Sequence, residues 1–400
     1  MNQSKRARMG IIFFTILINM IGFGVVIPVL PFYAERFGAT PWEIGWLFGI
    51  FSLVQFIFAP LLGHLSDKFG RRPVLILSTI GTATGFFIMG CAQTLVLLFV
   101  GRVIDGMSGG SIGAAQAYVA DITGPEDRSK AMGLIGAAFG LGFIFGPALG
   151  GWTAAHLGHS APLFVAGGLA VLNTLLILLF LPESLPAEKR SQGRREPLFP
   201  RLLEHVQRRP YFTVVATYFL LIAGFSVMTA VFALYVAKRH GFDEKQTGYL
   251  FAMLGVIGVV VQGGLIGRLV KMFGEARIAT AGSVFLVAGL FGTPFSTSIG
   301  GLLLACAGIA LGNSLMSPTL SGIASRSVDE KWQGRALGVM QSGGSLARFI
   351  GPVLGGWLLT FDLEKPIADY ALTPFWVAAA IVLTTFFLCL RLPKLTAKPK

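Results

Sequence analysis

Two ionisable residues, Arg102 and Asp105, lie inside a long apolar stretch of the sequence at residues 95–119. They are three positions apart, so a helix places both side chains on one face. An ionised group in a membrane core costs about 2.5 to 3.5 kcal/mol on insertion scales, and such residues usually face a cavity and take part in ion or proton movement. We therefore predict that Asp105 takes up and releases a proton beside Arg102. The alternative is a permanent ion pair that only fixes the helix.

A third charged residue, Arg348, lies in a later apolar stretch and is predicted to bind an anionic or metal-chelating solute. Two alternatives to solute binding remain for Arg348. It could neutralise Asp105 across an interface, or it could be purely structural, with its guanidinium extended toward water. Other apolar stretches contain amide side chains that are predicted to line the same solute cavity: Asn19, Gln55, Gln116, Gln262, Asn313 and Gln341. Each amide is equally suited to a hydrogen bond between helices.

The residues that enzymes and metal centres use are not arranged for such chemistry. The five histidines lie near the ends of apolar stretches or in loops, and no HExxH, nucleophile elbow or pair of intramembrane acids occurs. Cys91, Cys306 and Cys389 lie in apolar stretches without metal or redox spacing. The sequence predicts no enzyme activity, no metal and no cofactor, with a proton gradient as the energy source.

The elements that must position these residues are membrane-spanning helices. The chain is 54% hydrophobic and only 13% charged, which excludes a water-soluble globule of ordinary composition. A spanning helix needs about 20 apolar residues. On that basis we predict twelve spans, at residues 10–34, 44–66, 73–92, 95–119, 130–156, 162–182, 211–237, 244–270, 276–295, 298–324, 333–360 and 371–391.

The positive charges predict the orientation of these spans. With both termini in the cytoplasm, cytoplasmic segments hold 25 Lys and Arg residues and external segments hold 5. Because basic residues concentrate on the cytoplasmic side, this orientation is preferred over its reverse. The net charge of +13 is therefore explained by membrane topology rather than by nucleic-acid binding. The first apolar run is long enough to span, and we expect it to be retained as a helix rather than cleaved as a signal peptide.

The spans divide into two similar halves. A polar, basic segment at 183–210 separates six spans from six, and the sequence LGFIFGPALGGW at 141–152 recurs as LARFIGPVLGGW 205 residues later. We predict an all-α membrane protein with a six-helix bundle at 1–182, a cytoplasmic linker at 183–210 and a second, pseudo-symmetric bundle at 211–400. Duplicated halves of this kind place the solute near the bilayer midplane and expose it alternately to each side.

The loop after the second span contains the pattern GxxxDxxGRR, formed by Gly63, Asp67, Gly70, Arg71 and Arg72. We expect Gly63 to allow close helix contact, Gly70 to allow a tight turn and Asp67 to face a helix N-terminus, where the dipole favours a carboxylate. The second half has a degraded copy at 267–277, with no acid at the position equivalent to Asp67. The alternative is a basic loop that only sets topology.

The fifth span carries Gly142, Gly146, Pro147, Gly150 and Gly151. Glycines four residues apart let helix backbones approach closely, and Pro147 removes a backbone hydrogen bond and bends the helix. We predict that this helix is a pivot or seal. The alternative is close packing without a gating role.

Together these motifs resemble the major facilitator superfamily across essentially the whole chain. The pattern from Gly63 to Arg72 is similar to its loop signature, in which the Asp and Arg latch the two halves. Gly22 to Pro31, Arg102 with Gly106, and the fifth-span glycines are similar to its drug:proton antiporter branch, and the overall similarity is to the tetracycline efflux subgroup. That subgroup has an acid in the first span and polar or charged groups in the eighth and ninth spans. This chain instead has Asn19, Gly258 and Leu286 at those places.

The resemblance implies proton-coupled efflux of amphiphilic, drug-like small molecules such as tetracycline-type compounds. Because these three positions differ from the subgroup, we do not expect tetracycline itself to be the substrate. The cavity is predicted to hold two arginines and one aspartate, which favours zwitterionic, neutral or anionic solutes. The alternative function is a proton symporter that imports a sugar or an organic acid. We expect a monomer in a bacterial inner membrane whose partners are the solute, protons and lipid, and not nucleic acid.

Overall fold

The protein is helical throughout the part of the chain described by the computed structural model, residues 3–123, 125–185, 188, 190, 208–329 and 332–396. No β-strand occurs among these residues. The helices are α1 (Gln3–Glu35), α2 (Pro41–Phe69), α3 (Arg71–Gly90), α4 (Leu95–Met107), α5 (Ser111–Ile122), α6 (Pro125–Leu157), α7 (Ala161–Phe180), α8 (Arg208–His240), α9 (Glu244–Val260), α10 (Ile266–Phe273), α11 (Glu275–Gly292), α12 (Ile299–Arg326), α13 (Gln333–Thr360) and α14 (Leu372–Thr396). Short 3₁₀ turns lie at Thr293–Phe295 and Ile367–Asp369.

Eleven segments of this described chain are helical, long and apolar enough to cross a membrane. The remaining predicted span, 333–360, is the 28-residue helix α13, which is long enough but less apolar because it contains Gln341, Arg348 and several glycines. The predicted fold class, an all-α membrane protein, is confirmed. Most of the predicted linker, 183–210, lies outside the described residues.

Two of the predicted spans are interrupted within their length. The fourth span consists of α4 and α5, separated by a turn at residues 108–110 that begins three residues after Asp105. The eighth consists of α9 and α10 joined by a π-helical turn, Val261–Leu265, which contains Gln262 and two glycines. Breaks of this kind are tolerated in membranes where other groups satisfy the freed backbone atoms.

The chain forms two compact units. Unit 1 consists of residues 1–39, 50–194 and 242–252, and unit 2 consists of residues 40–49, 195–241 and 253–400. Each unit therefore contains a short segment from the opposite half of the sequence. In unit 1, Ile12 and Ile16 of α1 pack with Leu75 of α3 and Tyr118 of α5 in a buried apolar core. This core holds together α1, α3 and α5, the helices on either side of α4 in the sequence among them.

Candidate functional site

Arg102 and Asp105 form a buried ion pair in unit 1. Arg102 Nη1 lies 3.4 Å from Asp105 Oδ2, and the two residues are 1% and 6% exposed. The i,i+3 spacing alone brings the two side chains together, as the sequence predicted. A buried ion pair is costly to form and very costly to break on one side only, since the remaining charge is then left without its partner.

Helices on two sides enclose this pair. The ring of Phe51 in α2 lies 4.4 Å from the Arg102 guanidinium carbon, a cation–π contact that is strong in a desolvated setting. The side chain of Thr82 in α3 lies close to the Asp105 carboxyl group. The pair is therefore held by α2 and α3 as well as by α4.

Glycines allow α3 to come this close to α4. A Cβ added at Gly85 would lie 2.8 Å from the carbonyl oxygen of Gly101 and 3.0 Å from Asp105 Cβ. The first distance is shorter than a Cβ atom adopts and the second is very tight, so the close approach of α3 to Asp105 depends on a glycine at this position.

Two of the predicted cavity residues lie at the break in the fourth span. Gln55 Nε2 donates to the carbonyl oxygen of Gly109 at 3.0 Å, and Asn19 Nδ2 donates to Ser111 Oγ at 3.4 Å. Gln55 thereby donates to a backbone carbonyl that has no hydrogen-bond donor within the interrupted helix. Both amides make the helix-to-helix hydrogen bonds that the sequence offered as the alternative to solute contact.

The other predicted amides have different surroundings. Gln116 and Gln262 are exposed, and Asn313 is half-buried with an Oδ1 that has no hydrogen-bond partner among the described residues. Sequence reasoning overlooked Asn173 of α7, which is fully buried and whose amide atoms also lack a partner within the described chain. The sequence feature that could have identified Asn173 is its position, as a polar amide inside the sixth apolar stretch.

Arg348 belongs to a separate polar group in unit 2. Its Nη2 donates to Ser345 Oγ at 3.0 Å, and its guanidinium lies beside the hydroxyl of Tyr218. Tyr218 Oη in turn donates to Gln341 Oε1 at 3.2 Å. The structure thus brings two predicted cavity residues, Arg348 and Gln341, together around a tyrosine that the sequence did not single out.

The loop motif forms an arginine-centred ion-pair network in unit 1. Arg71 Nη1 lies 2.5 Å from Asp67 Oδ1, and Arg71 Nε donates to Asp121 Oδ2 at 3.1 Å. Asp121, at the end of the fourth span, was not predicted because its partner lies 50 residues away in the sequence. The arginine therefore ties α2, α3 and α5 together.

The carboxylate that accepts the backbone N–H groups at the N-terminus of α3 is that of Glu183, while Asp67 contacts the side chain of Arg71, the first residue of this helix. The expectation that Asp67 faces a helix N-terminus stays a prediction. The backbone N–H groups of Arg71 and Arg72 donate to the two oxygens of Glu183 at 2.9 and 3.1 Å. Gly70 has φ +109°, and a Cβ added there would overlap with Glu183 Oε2. A glycine is therefore required twice at this position, for its backbone conformation and for the approach of the carboxylate.

The remaining residues of the motif have looser surroundings. A Cβ added at Gly63 would meet no described atom within 4 Å, so the expected close helix contact is not present around it in the described residues. Arg72 Nη2 donates to the carbonyl oxygen of Leu178 in α7 at 2.6 Å.

In the copy of this motif in unit 2, the acidic and basic partners of the ion pair have exchanged positions. Glu275, the first residue of α11, forms an ion pair with Arg326 at the end of α12. These residues follow Arg71 and Asp121 by 204 and 205 positions, so the acid and the base have exchanged places. The sequence copy that looked degraded therefore keeps the ion pair with opposite polarity.

The glycine motif of the fifth span packs against α1. A Cβ added at Gly142 would overlap with Met20 Cβ, while one at Gly146 would lie 2.7 Å from the Ile21 carbonyl oxygen. One at Gly150 would lie 2.7 Å from the Val25 carbonyl oxygen. The two helix backbones therefore touch along three turns.

Pro147 and Gly151 form a second face of α6, which contacts the first turns of α9 within unit 1. A Cβ at Gly151 would overlap with the Glu244 carbonyl oxygen, and one at Gly248 would overlap with the Pro147 carbonyl oxygen. The duplicated motif packs similarly in unit 2, where a Cβ added at Gly356 would overlap with the carbonyl oxygen of Pro41 at the start of α2.

No group of three or more His, Cys, Asp or Glu side chains that could hold a metal ion occurs in the described residues. The chemistry that the arrangement offers is proton uptake by a carboxylate that is paired with an arginine in a desolvated helix bundle.

Comparisons with known proteins point to one family. The profile described as Major Facilitator Superfamily matches residues 12–352 and, separately, 265–400. The chain is 31% identical over 358 residues to multidrug resistance protein 2 of Bacillus subtilis (strain 168), a match that covers 88% of each chain. It is 32% identical over 357 residues to tetracycline resistance protein, class C, of Escherichia coli, which covers 85% of this chain and 86% of that protein.

Solved structures agree in fold. The human organic anion transporter MFSD10 matches with a TM-score of 0.72 and 26% identity, over 97% of this chain and 100% of that one. A bacterial homologue of the human lysosomal transporter Spinster, in an inward-facing and unoccupied conformation, matches with a TM-score of 0.80 over 100% of both chains. At 14% identity, that second likeness supports the fold alone.

Proposed function

Because this chain belongs to the major facilitator superfamily, we propose that it is a secondary transporter that exports amphiphilic, drug-like small molecules in exchange for protons. It is a multi-pass membrane protein with a small-molecule substrate, as members of this transporter family are. The proposal adds the direction of transport, the class of substrate and the coupling ion.

Two resistance proteins support the direction and the substrate class. The relatives named for multidrug and tetracycline resistance are about equally similar to this chain, and each similarity extends over more than four-fifths of both proteins. A membrane transporter makes a cell resistant to a drug that acts inside it by exporting that drug. Similarity to both relatives favours a broad range of amphiphilic solutes over tetracycline as the single substrate.

The buried pair of Arg102 and Asp105 is the observation that carries the coupling mechanism. In the unprotonated state, the Asp105 carboxylate is neutralised by Arg102. A proton or a cationic group of the solute has to compete with Arg102 for the same carboxylate. For a solute that carries a cationic group, such as a zwitterion, one carboxylate cannot hold both the solute and the proton. Proton binding and solute binding then exclude one another, which is the requirement for antiport.

The energy available from this exchange is sufficient for export. One proton moving through a potential of about 100 mV supplies about 2.3 kcal/mol. That free energy sustains roughly a fiftyfold solute gradient. No cofactor is part of this scheme, since the proton gradient supplies the energy.

A second substrate class, organic anions, has its own support. The human protein with 26% identity is described as an organic anion transporter. Arg348 lies half-buried beside Tyr218 and Gln341 and forms no ion pair with an acid among the described residues. A guanidinium in such a setting suits a carboxylate. Anionic and zwitterionic solutes therefore belong in the same test.

The setting proposed for this activity is a bacterial inner membrane with both termini in the cytoplasm, the chain acting as a monomer. The Arg71–Asp67–Asp121 network and the glycine faces of α6 are proposed to stabilise one state of the transport cycle. Rocking between states would break and remake such contacts.

Proton-driven uptake into inside-out membrane vesicles tests the proposal. Vesicles that contain the chain should accumulate tetracycline, a quinolone or an organic anion when acidified inside, and a protonophore should abolish the uptake. Asp105→Asn should remove the dependence on the proton gradient. Accumulation of a sugar or organic acid by right-side-out vesicles, with none by inside-out vesicles, would instead support the symporter and overturn the proposal.

A further inference from the structure

A second feature of unit 1 is a basic pocket at the predicted cytoplasmic ends of α1, α3 and α7. Its volume is about 460 Å³, and its walls include Arg8, Arg72, Leu179, Phe180 and Pro182. The size is within the range of ordinary small-ligand pockets. The two arginines come from different helices, so the cationic wall exists only in the folded chain.

The two arginines of this pocket are not paired with acidic side chains in the described residues. Arg72 Nη2 is held by the carbonyl oxygen of Leu178, and its Nε has no partner there. The nearby carboxylates are engaged elsewhere, Asp67 and Asp121 with the Arg71 side chain and Glu183 with backbone N–H groups.

The rim of the same pocket is strongly apolar. Leu179 and Phe180, at the end of α7, are 72% and 61% exposed. Exposed apolar side chains at the end of a membrane-spanning helix face lipid tails. The pocket therefore offers cations to a head group and an apolar surface to the chains attached to it.

We propose that this pocket binds the phosphate of an anionic phospholipid, with Arg8 and Arg72 on the phosphate and Leu179 and Phe180 against the acyl chains. Basic pockets between membrane helices on the cytoplasmic side bind anionic head groups in this way. The apolar rim favours a lipid over a soluble phosphate compound, which would gain nothing from it. The site is separate from Arg102 and Asp105, and its occupancy requires no transported solute.

Native mass spectrometry of the full-length chain in detergent tests this site. Phosphatidylglycerol and phosphatidylcholine with the same acyl chains are titrated separately. We expect phosphatidylglycerol to bind more tightly to the wild-type chain, and Arg8→Gln to weaken that binding about five- to tenfold, since one basic residue near a membrane surface contributes about 1 kcal/mol or more. Arg8→Lys should retain most of the affinity.

The matched control is Arg277→Gln, which removes an exposed arginine on the same predicted side of the membrane but in unit 2. It should leave phosphatidylglycerol binding unchanged. Leu179→Ser should weaken the binding of both lipids, because it acts on the acyl chains. Thermal unfolding in lipid-free detergent confirms that each variant remains folded.

Three results would overturn the proposal. They are equal affinity for the two lipids, equal losses in Arg8→Gln and Arg277→Gln, and displacement of phosphatidylglycerol by millimolar inorganic phosphate with no effect of Leu179→Ser. The last result would identify a soluble-anion site. Because this assay measures binding without transport, its failure would say nothing about efflux, and loss of proton-driven uptake would say nothing about the lipid.

Discussion

Replacing Asp105 by asparagine tests whether the buried pair serves the fold, the transport cycle or both. At 3.4 Å and an effective dielectric constant of about 20, the attraction between Arg102 and Asp105 is about 5 kcal/mol before desolvation is subtracted. The single substitution leaves Arg102 buried and without its counter-charge. We therefore expect Asp105→Asn to lower the free energy of unfolding by about 3 to 5 kcal/mol. Asparagine is nearly isosteric with aspartate, so no cavity contributes to this loss.

The double variant Arg102→Gln, Asp105→Asn separates stability from coupling. Removing both charges of a buried pair is often neutral or stabilising, because the desolvation cost disappears together with the attraction. We expect the double variant to unfold within about 1 kcal/mol of the wild type, so that the losses of the two single variants do not add. Proton-driven uptake should remain absent in it, since no carboxylate is left to carry the proton.

The assays are denaturant unfolding of the purified chain in mixed micelles and uptake into inside-out vesicles driven by an imposed proton gradient. Asp369→Asn, which removes an exposed carboxylate, is the control for both measurements. If the double variant regained proton-driven uptake along with stability, the pair would be a structural device and the coupling mechanism would be refuted. Unchanged stability of Asp105→Asn would refute the argument from desolvation.

Two further predictions concern the loop motif and its copy. Gly70→Ala should lower the free energy of unfolding of unit 1 by about 1 to 3 kcal/mol, because alanine is forced into a positive φ and its Cβ overlaps with Glu183. Gly63→Ala in the same motif is the control and should unfold like the wild type. Equal thermal stability of the two variants would contradict this prediction. Glu275→Arg alone should impair transport by placing two arginines together, and adding Arg326→Glu should restore it, because the pair in unit 2 then has the polarity found in unit 1. Failure of the double exchange to recover vesicle uptake would show that the polarity itself matters.

Much of the architecture was predictable from the sequence because it depends on local regularities. Apolar stretches of spanning length define the helices, since a membrane leaves the backbone no other way to satisfy its hydrogen bonds. The duplicated GPxLGGW motif predicted packing that both units repeat. Arg102 with Asp105, and Asp67 with Arg71, are contacts three or four residues apart in the sequence, and helical periodicity favours such pairs.

The tertiary structure alone decided which distant residues complete these sites. Phe51 and Thr82 reach the charged pair only because glycines bring α2 and α3 against α4. Glu183 follows Arg71 by 112 residues and accepts the backbone N–H groups at the N-terminus of α3. The interruption of the fourth span also depends on a distant group, Gln55 of α2.

The exchanged positions of Glu275 and Arg326 show why the sequence predicts local contacts but not the contacts between distant residues. An ion pair between helices requires opposite charges at one contact but does not specify which helix carries the acid. The copy in unit 2 could therefore lose the acid and base of the motif from their original positions and still keep the interaction. A pattern search reads residue types along one segment, whereas the contact depends on which two segments packing brings together.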